Sequence, residues 1–223
     1  ERVASLKDTE SVWRDAVEKI DLKAPANTIG RGRPFLNLGT YYMEKSQWAL
    51  AQRAFANADA LGDATGNARF NLGVALQAQN QNAQALQAFN TVQARDFTPL
   101  QRQQLYYRRG DSELALGQAT AALQSYDAAL RIPANALPGG QRMQQIVRMQ
   151  HAQAAMAANR FDVAIADFHL LLQQLPGDPS LESGLGLALA GQGDTARAMD
   201  VFNQLLARKP DFAQAFYGRA MAY

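Results

Sequence analysis

Cysteine is absent from all 223 residues, which removes disulfide frameworks, thiol nucleophiles and thiolate-bound zinc together. That absence does not fix a compartment. Histidine is scarce: only His151 and His169 occur, and neither stands in an H-x-x-x-H or H-x-x-E-H spacing that would hold a metal. Charge of one sign is not in excess either. With 22 Lys+Arg against 20 Asp+Glu the net charge is +2, so no broad field draws the chain to nucleic acid or to an anionic membrane. No apolar run reaches the roughly 18–20 residues that a spanning helix needs. What is abundant is apolar side chain, 48% against 19% charged, which excludes a disordered chain and provides for a sizeable core.

The dominant feature is internal repetition. A Leu-Gly pair is followed twelve residues on by alanine and four later by an aromatic: Leu38-Gly39, Ala51, Phe55; then Leu72-Gly73, Ala85, Phe89; then Leu185-Gly186, Ala198, Phe202. Two looser copies read Gly110, Ala122, Tyr126 and Ala152, Ala164, Phe168, and Ala220 opens a sixth. The step is 34 residues from Gly39 to Gly73, 37 to Gly110, 42 to Ala152, and 34 again to Gly186 and to Ala220. Each copy shows apolar residues at helical spacing and reads as two helices, which alone could not bury their shared face. Glycine within a helix costs roughly 1 kcal/mol relative to alanine, so its recurrence implies close helix approach. The alanines would be the facing small residues, and the aromatics would fill the space toward the next copy. Asp178 before Pro179 predicts a capped helix start, and Asp211 after Pro210 predicts another.

This pattern resembles the tetratricopeptide repeat (TPR) family from about Arg33 onward. The resemblance implies an all-α right-handed superhelix, an αα solenoid. The copies would occupy about 32–65, 66–99, 103–136, 145–178 and 179–212, with a truncated copy at 213–223 and a degenerate leading half repeat and linker at 1–31. The longer joints, 95–101 and 133–142 with Pro138-Gly139-Gly140, are expected to be surface loops; the alternative is a local change of pitch that reshapes a binding surface.

Before the repeats, Ser11 to Lys19 reads as a helix, followed by an extended linker, Ala24-Pro25-Ala26-Asn27, and the entry Arg33-Pro34-Phe35-Leu36-Asn37-Leu38-Gly39. This order is similar to the TPR tails of bacterial multi-spanning membrane proteins of the glycosyltransferase or O-antigen-ligase kind. That likeness implies the periplasmic, extracytoplasmic side of a bacterial membrane, with the cytoplasm as the alternative. It would put Glu1 just outside the bilayer. The chain starts at Glu1 without a signal-peptide core and stops at Tyr223 within a helical pattern, so it is expected to be a piece of a longer protein.

Residues that could carry chemistry have blander explanations. His151 falls where other copies carry leucine and reads as a packing residue; His169 reads as a seam or solvent position. Gly110-Asp111-Ser112 superficially matches a hydrolase triplet, but no histidine is placed to activate the serine. Gly184-Leu185-Gly186 lacks the third glycine and the strand of a dinucleotide site. No pair of acidic residues reads as a glycosidase couple. The expectation is a non-catalytic scaffold without cofactor or metal.

The TPR resemblance places recognition on the concave face lined by the first helix of each pair. By register, the peptide-binding groove would present Arg33, Asn37, Thr40, Asn67, Phe70, Asn71, Val74, Gln104, Tyr107, Arg108, Asp111, Met149, Gln150 and Gln153, with Ile146, Ser180, Ser183, Leu187, Gln214 and Tyr217 beside them. Asn37 and Asn71 are similar to the asparagine ladder of the TPR superhelix of O-linked GlcNAc transferase, where a side-chain amide serves a peptide backbone. Arg108, Gln150, Gly184 and Gly218 stand at the later rungs. Leu36 and Thr40 replace the leading Lys and Asn of the chaperone-binding clamp, which disfavours Hsp70 or Hsp90 tails. Arg102, Arg108, Arg109, Arg142 and Arg148 form a basic cluster that is either locally paired or favours an acidic segment or anionic glycan. The expected partner is a protein or peptide, with no nucleic acid and no membrane insertion; self-association into a scaffold is a further option. The alternative function is an accessory domain of a membrane glycosyltransferase or ligase that positions acceptor peptide or glycan.

Overall fold

The computed structural model describes residues 9–21, 30–62, 65–136 and 139–222. The expected linker at 24–27, Pro138 and both chain ends, Glu1 and Tyr223, lie outside the described residues. Among the described residues there are twelve α-helices and no strand. They are α1 (Thr9–Glu18), α2 (Gly32–Glu44), α3 (Trp48–Ala60), α4 (Asn67–Gln77), α5 (Asn82–Asn90) and α6 (Pro99–Ala115). Then come α7 (Ala119–Leu130), α8 (Gly140–Ala157), α9 (Phe161–Gln174), α10 (Pro179–Gln192), α11 (Thr195–Arg208) and α12 (Ala213–Met221). They fall into two compact units, Glu1–Ser112 and Glu113–Tyr223, with the boundary inside α6.

In the first unit, α1 docks on α2 by placing Trp13 and Val17 against a cluster of Leu38, Tyr42, Ala51, Ala54, Phe55 and Ala75. The Arg14 Nε donates to the Tyr42 hydroxyl at 3.1 Å and pairs with Glu10 at 2.7 Å. A second cluster joins Leu76, Ala85, Phe89, Val92, Phe97 and Leu105. In the second unit, Tyr126, Leu171, Leu181, Leu189, Phe202 and Leu205 are fully enclosed.

The repeated glycines sit under aromatic rings. A Cβ built on Gly39 would fall 2.6 Å from Phe55 Cε1, and one on Gly73 would fall 2.7 Å from Phe89 Cδ1. One on Gly186 would fall 2.6 Å from the Phe202 ring. The glycine therefore makes room for a ring sixteen residues on in its own repeat, rather than directly for a facing alanine. Rings also reach the next pair: Phe168 lies against Gly184, and Phe202 against Gly218 as well as Gly186. Ala51, Ala85, Ala122, Ala164 and Ala198 are completely buried, but it is the rings and not these alanines that face Gly39, Gly73 and Gly186.

The turn within each pair has its own recurrent requirement. Seven residues past the packing position the backbone is left-handed at Ser46, Asn80, Gly117, Asn159 and Gly193, with φ between 55° and 90°. Glycine and asparagine tolerate this conformation; it ends the first helix and reverses the chain.

Several details depart from the sequence reading. The extra residues near 95–101 and 133–142 are not simply loops. They lengthen the first helices, so α6 has 17 residues and α8 has 18 against 11 in α4. The first joint also forms a 3-10 turn, Ala94–Asp96, that delivers Phe97 into the core. In the second joint Gly140 is buried against the Ala134 backbone, with a built Cβ 2.9 Å from its carbonyl carbon. Asp178 does cap α10, accepting from Ser180 N at 2.9 Å and Leu181 N at 3.1 Å. Asp211 does not cap α12: that helix begins at Ala213, Phe212 holds the cap position, and Asp211 lies one residue too early.

Two outcomes test this packing. Gly73→Ala should lower the unfolding free energy by about 1–3 kcal/mol in urea denaturation, because the buried Phe89 ring cannot retreat freely. That loss should shrink in a Phe89→Leu background. Asp178→Ala should cost about 1 kcal/mol while Asp211→Ala leaves the midpoint unchanged.

Candidate functional site

In the first unit the expected groove residues divide into two groups. The first is already engaged. The Thr40 hydroxyl donates to Leu36 O at 2.9 Å. Asn67 donates to Thr65 Oγ1 at 2.8 Å and accepts from Gln101 Nε2 at 2.9 Å. Phe70 lies beside Phe89 and edge-on to Phe97, each centroid 5.9 Å away, and Val74 packs against the same cluster. The Tyr107 hydroxyl donates to Asp111; burial and that carboxylate together push the phenol up to about 12. Arg108 approaches Gln77 Oε1 at 3.4 Å and lies 5.8 Å from the Tyr107 ring. Gln77 Nε2 also donates to Arg108 O at 3.0 Å and to Ser112 Oγ at 3.1 Å, so the Gly110-Asp111-Ser112 triplet is spent on helix packing.

The second group is unengaged. The side-chain amides of half-buried Asn37, Asn71 and Gln104 make no hydrogen bond among the described residues. Arg33 is exposed at the start of α2.

In the second unit Met149 and Gln150 are half-buried on α8, Gln153 is exposed, and Ile146 is 41% exposed. Ile146, Met149 and Gln150 line one cavity of about 380 Å³ together with Arg142, Gln145, Leu171, Leu175, Asp178 and Leu181. Sequence register placed the α8 residues on one face. It did not foresee that the end of α9 and the start of α10 line the same open hollow. Of the flanking candidates, Gln214 and Tyr217 are exposed, Ser180 is exposed, Leu187 is half-buried and Ser183 is buried.

A buried polar network in this unit went unforeseen. His151 Nδ1 meets Asp167 Oδ2 at 2.5 Å, and Arg148 Nη1 meets Asp167 Oδ1 at 2.8 Å. The other ring nitrogen of His151 lies 3.5 Å from Asp127. His151 is as buried as the equivalent Leu38 and Leu185 but tightly partnered, and Arg148 is held by Asp167. A second pair, Ser125 Oγ donating to Glu113 at 2.5 Å, occupies the preceding repeat. The sequence does carry a signal for both. His151 replaces a leucine and Asp167 replaces a small or apolar residue in one repeat, while Glu113 and Ser125 depart together in another. Two polar departures at packing positions of the same repeat are a contact signature.

His169 is exposed. Among the described residues no group of three or more His, Cys, Asp or Glu side chains is arranged to hold a metal ion, and no helix is long and apolar enough to cross a membrane. Of the basic cluster, Arg109 lies 5.5 Å from the Tyr106 ring, while Arg142 is exposed and makes no ion pair or hydrogen bond among the described residues.

The sequence model of the tetratricopeptide repeat matches residues 36–96, 70–136, 149–211 and 183–223. No curated protein matches the chain in sequence. Solved structures match in fold. YrrB, described as a TPR protein with an unusual peptide-binding site, is 17% identical with a TM-score of 0.72, over 95% of this chain and 99% of its own. MamA from Desulfovibrio magneticus RS-1, residues 41 to the end, is 16% identical with a TM-score of 0.63, over 81% and 97%. A tetratricopeptide repeat protein from Parabacteroides merdae is 19% identical with a TM-score of 0.60, over 96% and 86%.

The arginines make a testable contrast. Arg148→Ala removes one of the two partners of the buried Asp167 carboxylate, leaving His151, and should destabilise the protein by about 1–3 kcal/mol in chemical denaturation. Arg142→Ala should change stability by less than about 0.5 kcal/mol.

Proposed function

We propose, from the premise that the chain belongs to the tetratricopeptide repeat family, that it is a non-catalytic interaction module that binds a peptide or protein segment along its first helices. TPR proteins generally serve as protein-interaction scaffolds. What supports the reading here is the division of labour among side chains. The recurrent residues are consumed by packing, whereas Asn37, Asn71, Gln104 and Gln150 are half-buried amides with no hydrogen bond among the described residues. Each amide offers donors and an acceptor, the complement of a peptide backbone, and the fold gives it no partner of its own. The YrrB neighbour, a TPR protein with a peptide-binding site, supports the same class of ligand.

A second reading is an accessory domain on the outer side of a bacterial membrane that positions acceptor peptide or glycan for a glycosyltransferase or ligase. It rests on the likeness of residues 11–39 to the tails of such proteins. It requires hydrophobic spans upstream of Glu1 in the full-length protein.

The amides provide the test. For a peptide selected on this chain, Asn37→Ala with Asn71→Ala should weaken binding about tenfold in isothermal titration, two hydrogen bonds of roughly 0.5–1.5 kcal/mol each being lost. The thermal midpoint should not move. Absence of any peptide ligand would overturn the reading.

A further inference from the structure

The cavity on α8 differs from the amide-bearing face of the first unit in that it is a pit with an apolar floor. Leu171 and Leu181 are buried at its base, and Met149 is half-buried on its wall. Ile146 and Leu175 remain 41% and 43% exposed at its mouth, so both would gain from an apolar occupant. At about 380 Å³ the space suits one or two large side chains.

The charges at the rim indicate what surrounds such a side chain. Arg142 and Asp178 are the two charged residues lining the cavity. Asp178 is occupied: its Oδ1 accepts from Ser180 N and Leu181 N at the N-terminus of α10, where the helix dipole offsets its charge. Arg142 is exposed and has no carboxylate among the described residues. The unspent charge beside the pit is therefore positive. Gln150, whose amide makes no hydrogen bond among the described residues, lies at the opposite end of the α8 stripe.

We infer that this cavity is a specificity pocket for a peptide segment that carries one large aliphatic or aromatic side chain and an acidic residue two or three positions away. The side chain enters between Ile146, Met149 and Leu175, and the carboxylate pairs with Arg142. The spacing follows from the helix. Arg142 and Met149 are seven residues apart on α8, roughly 10 Å, which an extended peptide covers in about three residues. This inference rests on the peptide-binding reading and gives it a sequence preference.

The experiment is a random twelve-residue peptide display library panned against the 223-residue chain, with affinities of the enriched synthetic peptides measured by fluorescence anisotropy. Expected is enrichment of an apolar residue with Asp or Glu two or three positions away. Ile146→Ser with Met149→Ser should weaken these peptides about tenfold, with the helical circular-dichroism signal kept. Arg142→Glu should weaken them about threefold or more and shift the enriched charge to Lys or Arg in a repeated selection. Peptides that bind but lack this pairing, or ignore these substitutions, overturn the pocket and leave the peptide-binding module standing. No enriched peptide overturns both. A concentration-dependent dimer in sedimentation that Ile146→Ser with Met149→Ser disperses would identify a second copy as the occupant and overturn the pocket as well.

Discussion

An aromatic ring resting on a helical glycine is the contact on which three of the helix pairs depend. Phe55 on Gly39, Phe89 on Gly73 and Phe202 on Gly186 repeat the same geometry, with no room for a Cβ between ring and backbone. The glycine weakens its own helix by roughly 1 kcal/mol. A completely buried phenylalanine offsets that loss, since burying such a side chain stabilises by about 1.5–3 kcal/mol. In Phe202 and Phe168 the same rings also touch glycines of the following pair, Gly218 and Gly184. The contact that closes one repeat thus helps to bind the next, and stability is handed from neighbour to neighbour.

The same contact explains why so much of the fold was legible in the sequence. Glycine, alanine and aromatic recur together because each is demanded by the others' size, and any one misplaced would clash or leave a void. The left-handed turn position shares one register at Ser46, Asn80, Gly117, Asn159 and Gly193, but its alternation of Ser, Asn and Gly hides it from the repeat pattern. What was not legible depends on features that occur once. Phe97 enters the core from an irregular joint, and the insertions lengthen α6 and α8 because nothing in the 34-residue period says where added residues go. Asp211 was misread for a related reason. Pro210 matches Pro176 in register, but Phe212, not Asp211, matches Asp178.

The candidate site was partly readable, and for the opposite reason. Register alone predicts which face a first-helix residue occupies, and Met149, Gln150 and Ile146 line one hollow. It does not predict which side chains find partners inside the protein. Tyr107 and Asp111 satisfy each other, Asn67 is held by Thr65 and Gln101, and Phe70 is drawn into an aromatic cluster. Nor does it predict that Arg148 belongs to a network with His151 and Asp167 while Arg142, six residues earlier on the same helix, makes no ion pair among the described residues.

The two arginines differ in what the fold asks of them. Arg148 neutralises a carboxylate that is only 3% exposed, and a buried charge left alone would cost far more than the pair contributes. Its position is fixed by the protein's own needs and leaves nothing for a ligand. Arg142 lies in water at the lip of an apolar hollow, where its charge costs little to keep and is available to an incoming carboxylate. An exposed ion pair adds little affinity alone. Beside a hollow that took up an apolar side chain, as proposed, it would discriminate among partners that fill the hollow equally well. Specificity in such a fold therefore resides in the residues that the repeat does not dictate.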